Sequence, residues 1–183
     1  MDVTSEELLG LFSLLRSSNT VENQSVDDQL KELIKNPNTI FALFALLDET
    51  KDETLRHHAY IMLGNCFRYL KSDMNESFYI QFREQILQLL QNEPNTQCIE
   101  TLITVVQILI DPDIPWPEII QFVFSIDYNE SPKSLFLALS IFNGLIDTLS
   151  SDIILENQEG LMNLVFSGLN SDIQNLKYIN LAI

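Results

Sequence analysis

Residues Asn38–Leu70 read NTIFALFALLDETKDETLRHHAYIMLGNCFRYL. Apolar side chains return there every three or four positions, which is the period of a helix and not the alternation of a strand. Phe41, Leu43, Phe44 and Leu47 give the first half one inward stripe. Leu55, Ala59, Leu63, Cys66 and Leu70 give the second half another. Between them Lys51-Asp52-Glu53 is polar and opens the second helix on acidic residues, which suit the positive end of its dipole. Asn36-Pro37 ends whatever precedes, because proline disfavours a helical conformation in the residue before it, and Asn38 is placed to cap the first helix. The stretch is a pair of antiparallel helices on a short link.

The same unit recurs on both sides. Upstream, Thr4 or Ser5 opens a helix carrying Leu8, Leu11, Phe12 and Leu15, which stops at 16–19, and a second runs from Thr20 to Lys35 with Val26, Leu30, Leu33 and Ile34 inward. Downstream, helices are expected over Asn75–Gln91, Asn95–Ile110, Pro117–Phe124 and from Ser131-Pro132 onward. A ninth is expected from Ser151 to about Gly168, and a tenth from Ser171 to Ile183. Proline is tolerated at the first helical position, as at Pro117. Paired helices repeating every ~40 residues are the sequence signature of HEAT or armadillo solenoids. The expected fold is all-α: a right-handed superhelical solenoid of about five HEAT repeats in one domain, approximately 4–35, 38–71, 74–111, 115–150 and 151–183. A solenoid needs a polar terminal cap, and apolar Leu181 and Ile183 supply none, so the sequence reads as a fragment of a longer array.

The composition narrows the function classes. Of 183 residues, 26 are acidic and 10 basic, a net charge of −16. Direct nucleic-acid binding is disfavoured, since a phosphate backbone needs a basic footprint, and anionic membranes are disfavoured for the same reason. With 5 glycines and 6 prolines the chain is poor in turn formers, against a strand-and-turn fold. No apolar run is long enough to span a bilayer. The acidic start at Asp2, Glu6 and Glu7 is unlike a signal peptide, so Cys66 and Cys98 read as reduced thiols of a cytosolic or nuclear protein. Charge is uneven: up to residue 83 there are 13 acids against 8 bases, and beyond it 13 acids against only Lys133 and Lys177. The second half should attract a basic partner.

Catalytic patterns are missing. There is no phosphate-binding glycine loop, no G-x-S-x-G and no H-E-x-x-H. His57 and His58 are adjacent, so on a helix they diverge by about 100° and cannot converge on one metal. Neither cysteine has ligand-like spacing. No enzyme activity, cofactor or metal site is expected. Two L-x-x-L-L matches, Leu11–Leu15 and Leu43–Leu47, fall on inward faces and read as core.

Three segments resemble one family, the importin-β (karyopherin-β) nuclear transport receptors. Arg56-His57-His58-Ala59-Tyr60-Ile61-Met62-Leu63-Gly64-Asn65 is similar to the family's Arg-x-x-Ala-x-Ile-x-Leu-Lys-Asn, with Arg56, Ala59, Ile61, Leu63 and Asn65 matching and Gly64 in place of lysine. Val26–Leu33 is similar to Ala-Glu-x-x-Leu-x-x-Leu, with Asn23 where a basic residue is common. Trp116-Pro117-Glu118 is similar to the family's Trp-Pro-Glu-Leu segment.

The resemblance implies that second helices line a concave face whose first repeats bind the GTPase Ran in its GTP form. It also implies that grooves on the convex face bind phenylalanine-glycine repeats of nucleoporins, that basic protein cargo binds further along the concave face, and that the protein shuttles between cytoplasm and nucleus. Leu55, Ala59, Leu63, Cys66 and Leu70 should pack inward, leaving His57, Tyr60, Ile61, Gly64 and Arg68 exposed for Ran, joined by Asn23 and Asp27 from the second helix. Trp116 should anchor one repeat on another. Two other classes fit the pattern less closely: a generic HEAT scaffold with no nucleotide-dependent partner, and a carboxylate enzyme on the same fold.

Overall fold

The computed structural model describes residues 3–15, 20–111, 114, 116–127, 131–146 and 151–170. Among them the regular structure is helical: α1 (Ser5–Leu15), α2 (Thr20–Leu33), α3 (Asn38–Glu49), α4 (Glu53–Leu70), α5 (Glu76–Asn92), α6 (Thr96–Leu109), α7 (Pro117–Ser125), α8 (Pro132–Leu145), α9 (Ser151–Glu156) and α10 (Gln158–Asn170). The helix expected over 171–183 lies outside the described residues, as do Leu181 and Ile183.

The helix starts follow from local chemistry. Asp52 accepts hydrogen bonds from the Thr54 and Leu55 amides at 2.9 and 3.0 Å and so satisfies two donors that the first turn of α4 leaves open. Asn75, Asn95 and Ser131 cap α5, α6 and α8 in the same way. At α3 the expected cap moves: Asn38 is already helical, and the Asn36 side chain accepts from the Asn38 amide at 3.0 Å. The Thr39 hydroxyl donates to the Leu33 carbonyl at 2.7 Å, tying the start of α3 to the end of α2.

The expected ninth helix is broken in two. Asn157 interrupts it between α9 and α10, with its side-chain amide donating to the Ile153 carbonyl at 2.9 Å. Its backbone still donates to Ile153 and accepts from Leu161, so the hydrogen-bond ladder continues through the break. Gly160 follows at once. An added Cβ there would stand 2.9 Å from the Phe124 ring, so only glycine lets α10 approach α7 this closely.

Packing runs in chain order. α3 lies on α4, α5 on α6 and α7 on α8, while α4, α6, α8 and α10 stack side by side. α1 packs on α2, α3 and α4, whereas α2 packs closely on α1 alone. One continuous core runs from Leu8 in α1 to Leu164 in α10. Leu55, Ala59, Leu63, Cys66 and Leu70 are buried as expected. Phe41 and Phe78, expected inside, are each about two-fifths exposed; both rings lean on the buried Phe82 ring, at 5.6 and 5.9 Å between centroids.

Candidate protein-docking grooves

α4 and α6 run side by side, and an open groove of about 410 Å³ separates their outer edges. One wall carries His57, Ile61, Gly64 and Arg68, each a turn from the next along α4; the other carries Gln97, Glu100, Thr101 and Thr104 of α6. With Tyr60 behind them, five of the seven residues expected to meet a partner line this groove. Ile61 is 44% exposed.

Tyr60 corrects the expectation of an exposed ring: it is fully buried. Its hydroxyl donates to the Glu93 carboxylate at 2.5 Å and accepts from Arg56 at 2.6 Å. Burial in this network also pushes the Tyr60 hydroxyl far above its ordinary ionisation range. The ring only backs the groove. Gly64 is buried too, forming the floor where α4 meets Val105 and Ile108. Asn23 and Asp27 are not brought to this surface; they lie on α2, half-buried and exposed respectively, on a helix that packs closely on α1 alone.

The motif residues are structural. Ala59 and Leu63 are buried, and Asn65 accepts from exposed Arg68 at 3.2 Å. Arg56 binds Glu93 at 2.6 Å and donates to the Leu47 and Thr50 carbonyls at the end of α3. Glu93 has no exposed surface at all, and periodicity gave no sign of it. Trp116 is buried over the Arg83 guanidinium, 5.0 Å from ring centroid to the carbon. Pro117 takes the first position of α7, and Glu118 stands exposed in its first turn.

A second groove, of about 550 Å³, lies between the ends of α3 and α5 and is lined by Phe44, Leu47, Lys51, Gln85, Gln88 and Leu89 among others. A smaller apolar cleft between the starts of these helices holds Phe41, Phe78 and Phe82.

The excess acid has a definite placement. Glu84, Glu118, Asp152, Glu156 and Glu159 are exposed on α5, α7, α9 and α10, with Glu100 on α6; α8 carries no acidic residue. Among the described residues, no three His, Cys, Asp or Glu side chains are placed to hold a metal ion, and no helix is long and apolar enough to cross a membrane.

Both cysteines are buried. Desolvation pushes the Cys66 thiol up to about 12 and the Cys98 thiol up to about 11. The thiolate is the nucleophile, so neither thiol should react with iodoacetamide at pH 8.5 while the chain is folded. Both should alkylate promptly in denaturant. Mass spectrometry of trapped samples checks this, and rapid native labelling of Cys66 would contradict the packing.

Compared with protein-family models, with curated proteins and with solved structures, the chain matches none.

Proposed function

We propose that the chain is a protein-docking solenoid of stacked HEAT-type helix pairs, and that it acts as part of a nuclear transport receptor. In this reading Ran-GTP is held on the α4–α6 face. The observation that supports it is the gathering of His57, Ile61, Gly64 and Arg68 into one open groove, at the positions where the resemblance to importin-β receptors puts the GTPase. The stacking of α4, α6, α8 and α10 fits a continuous inner layer of second helices. Phenylalanine-glycine repeats are assigned to the α3–α5 side, where Phe41 and Phe78 stand exposed. Basic cargo is assigned to the same inner layer beyond the groove, where Glu159 of α10 stands exposed while α8 has no acid to offer. The protein then works by linkage between Ran and cargo while shuttling between cytoplasm and nucleus.

The test is binding to Ran loaded with GTP or with GDP. Only the GTP form should bind, and Ile61→Asp should weaken it by about tenfold or more, as for a central interface residue. Equal binding of both forms, or binding of neither, would overturn the reading.

A generic HEAT scaffold is the second reading. It is favoured by the position of Asn23 and Asp27 on α2, away from the groove, and predicts a partner indifferent to nucleotide.

A further inference from the structure

The side-by-side helices are laced together unequally. α4 and α6 are tied at both ends. At their starts the Asn95 side-chain amide donates to the Glu53 carboxylate at 2.9 Å, and Arg56 holds the Glu93 carboxylate through Nε and Nη2. At their far ends Lys71 donates to the Ile108 and Ile110 carbonyls at 3.4 and 3.3 Å and stands 3.6 Å from the Asp111 carboxylate.

The seam between α6 and α8 is different. At their starts the Lys133 ammonium donates to the Glu93 carbonyl at 2.6 Å. At their far ends Gln107 of α6 lies across Gly144 of α8. A Cβ added to Gly144 would stand 2.9 Å from the Gln107 Nε2 and 3.4 Å from its Cγ. Gln107 is exposed, and its side chain makes no hydrogen bond among the described residues. The surface that α8 offers it is bare backbone, with no side chain to interlock.

The two ties at Glu93 also differ in kind. Arg56 grips its carboxylate with a planar fork, which fixes direction as well as distance. An ammonium on a flexible four-carbon stem has three rotatable donors and keeps one acceptor through a range of angles. Lys133 therefore holds position and leaves rotation free. In a solenoid each unit meets only its neighbours, so bending concentrates at the seam that resists it least.

We propose that the α6–α8 seam is a hinge, with the Lys133–Glu93 contact as its pivot and Gln107 on Gly144 as its sliding end. Helices α3–α6 move as one body, and α7 and α8, with α10 stacked on α8, move as another. A swing of about 10° displaces the far end of the 14-residue α8, about 20 Å from the pivot, by about 3.5 Å. It changes the spacing between the α4–α6 groove and Glu159 on α10. The hinge requires no particular ligand, so it stands or falls apart from the transport reading.

Distances between paired spin labels test it. Ala45→Cys with Thr104→Cys spans the first body, and Ala45→Cys with Asn143→Cys spans the seam; the three positions are exposed, on α3, α6 and α8. Cys66 and Cys98 are buried and should stay unlabelled. The distance distribution across the seam should be the broader by about 3 Å or more, as a swing of that size at the end of α8 gives. Lys133→Met should broaden it further and leave the first pair unchanged. Lys31→Met removes the same charge from an exposed site on α2 and should change neither. A seam distribution as narrow in the parent as that of the first pair would overturn the hinge, whether or not Lys133→Met folds. One that a folded Lys133→Met leaves unchanged would overturn the pivot and the hinge with it.

Discussion

Arg56→Met should destabilise the fold by about 3–5 kcal/mol, the cost of stranding one member of a buried ion pair. Glu93 has no solvent-exposed surface, and Arg56 contacts the same carboxylate oxygen through both Nε (3.0 Å) and Nη2 (2.6 Å). The rest of the shell is neutral: the Tyr60 hydroxyl on that oxygen and the Asn95 amide, at 3.0 Å, on the other. The Leu47 and Thr50 carbonyls lose a donor in the same variant. Three segments meet here: the end of α3, the start of α4 and the link from α5 to α6. Urea unfolding followed by circular dichroism measures the loss. Arg56→Met combined with Glu93→Leu should recover much of it, because a neutral apolar pair leaves no charge to solvate. A single variant within 1 kcal/mol of the parent, or a double variant no better than the single, would show that the carboxylate finds water or another cation.

That ion pair also marks where sequence reasoning stops. The starts of α4, α5, α6, α7 and α8 were legible because each is written locally, in an Asp, Asn or Ser cap or a proline at the first position. The stripe on α4 was legible for the same reason: period alone sets which residues share a face. Arg56 and Glu93 are 37 positions apart, and no periodicity links them, so Arg56 looked like a charge at a helix start. Tyr60 was misplaced by the same blindness. It lies next to the inward residue Ala59, and a helix sandwiched between α3 and α6 buries more than one stripe. The break at Asn157 was hidden because apolar spacing runs through it; only the side-chain bond to Ile153 and the approach of Phe124 to Gly160 disclose it. Of the candidate site, the α4 half could be read and the α6 half could not, since Gln97, Glu100, Thr101 and Thr104 became relevant only when the fold set them opposite Gly64.

Several of the few bases are tied up at helix ends. The last carbonyls of a helix lack intrahelical partners and carry the negative end of its dipole. Lys71 donates to the Ile108 and Ile110 carbonyls, Arg83 to those of Leu109 and Ile114, and Lys133 to that of Glu93. With Arg56 on the end of α3, four of the chain's 10 basic residues close helix ends in this way. They are engaged in the scaffold and do little to offset the exposed carboxylates. Arg68 escapes this role, which is why it stands out in the α4–α6 groove.

Arg83 gives the second large effect. It is 3% exposed, and its Nη2 donates to the Leu109 carbonyl at 2.9 Å and to the Ile114 carbonyl at 2.8 Å, holding the chain as it leaves α6. Its guanidinium lies between two rings, 5.4 Å from the Tyr79 centroid and 5.0 Å from that of Trp116. Desolvation lowers its pKa, but a guanidinium keeps its proton throughout the usual pH range, so the group is a buried cation held by two carbonyls and two π faces. Arg83→Met should therefore cost about 3 kcal/mol, mostly from carbonyls left without a donor. Arg83→Lys keeps the charge but loses the planar fork and the stacking, and should recover only part of that. The chain has a single tryptophan, so its emission reports this place alone. In Arg83→Met the band should shift to the red as Trp116 loosens, before any change in helical signal on mild heating. If Trp116 emission and global stability both match the parent, Arg83 is not what holds α7 to α5 and α6, and the anchor is Trp116 by its own burial.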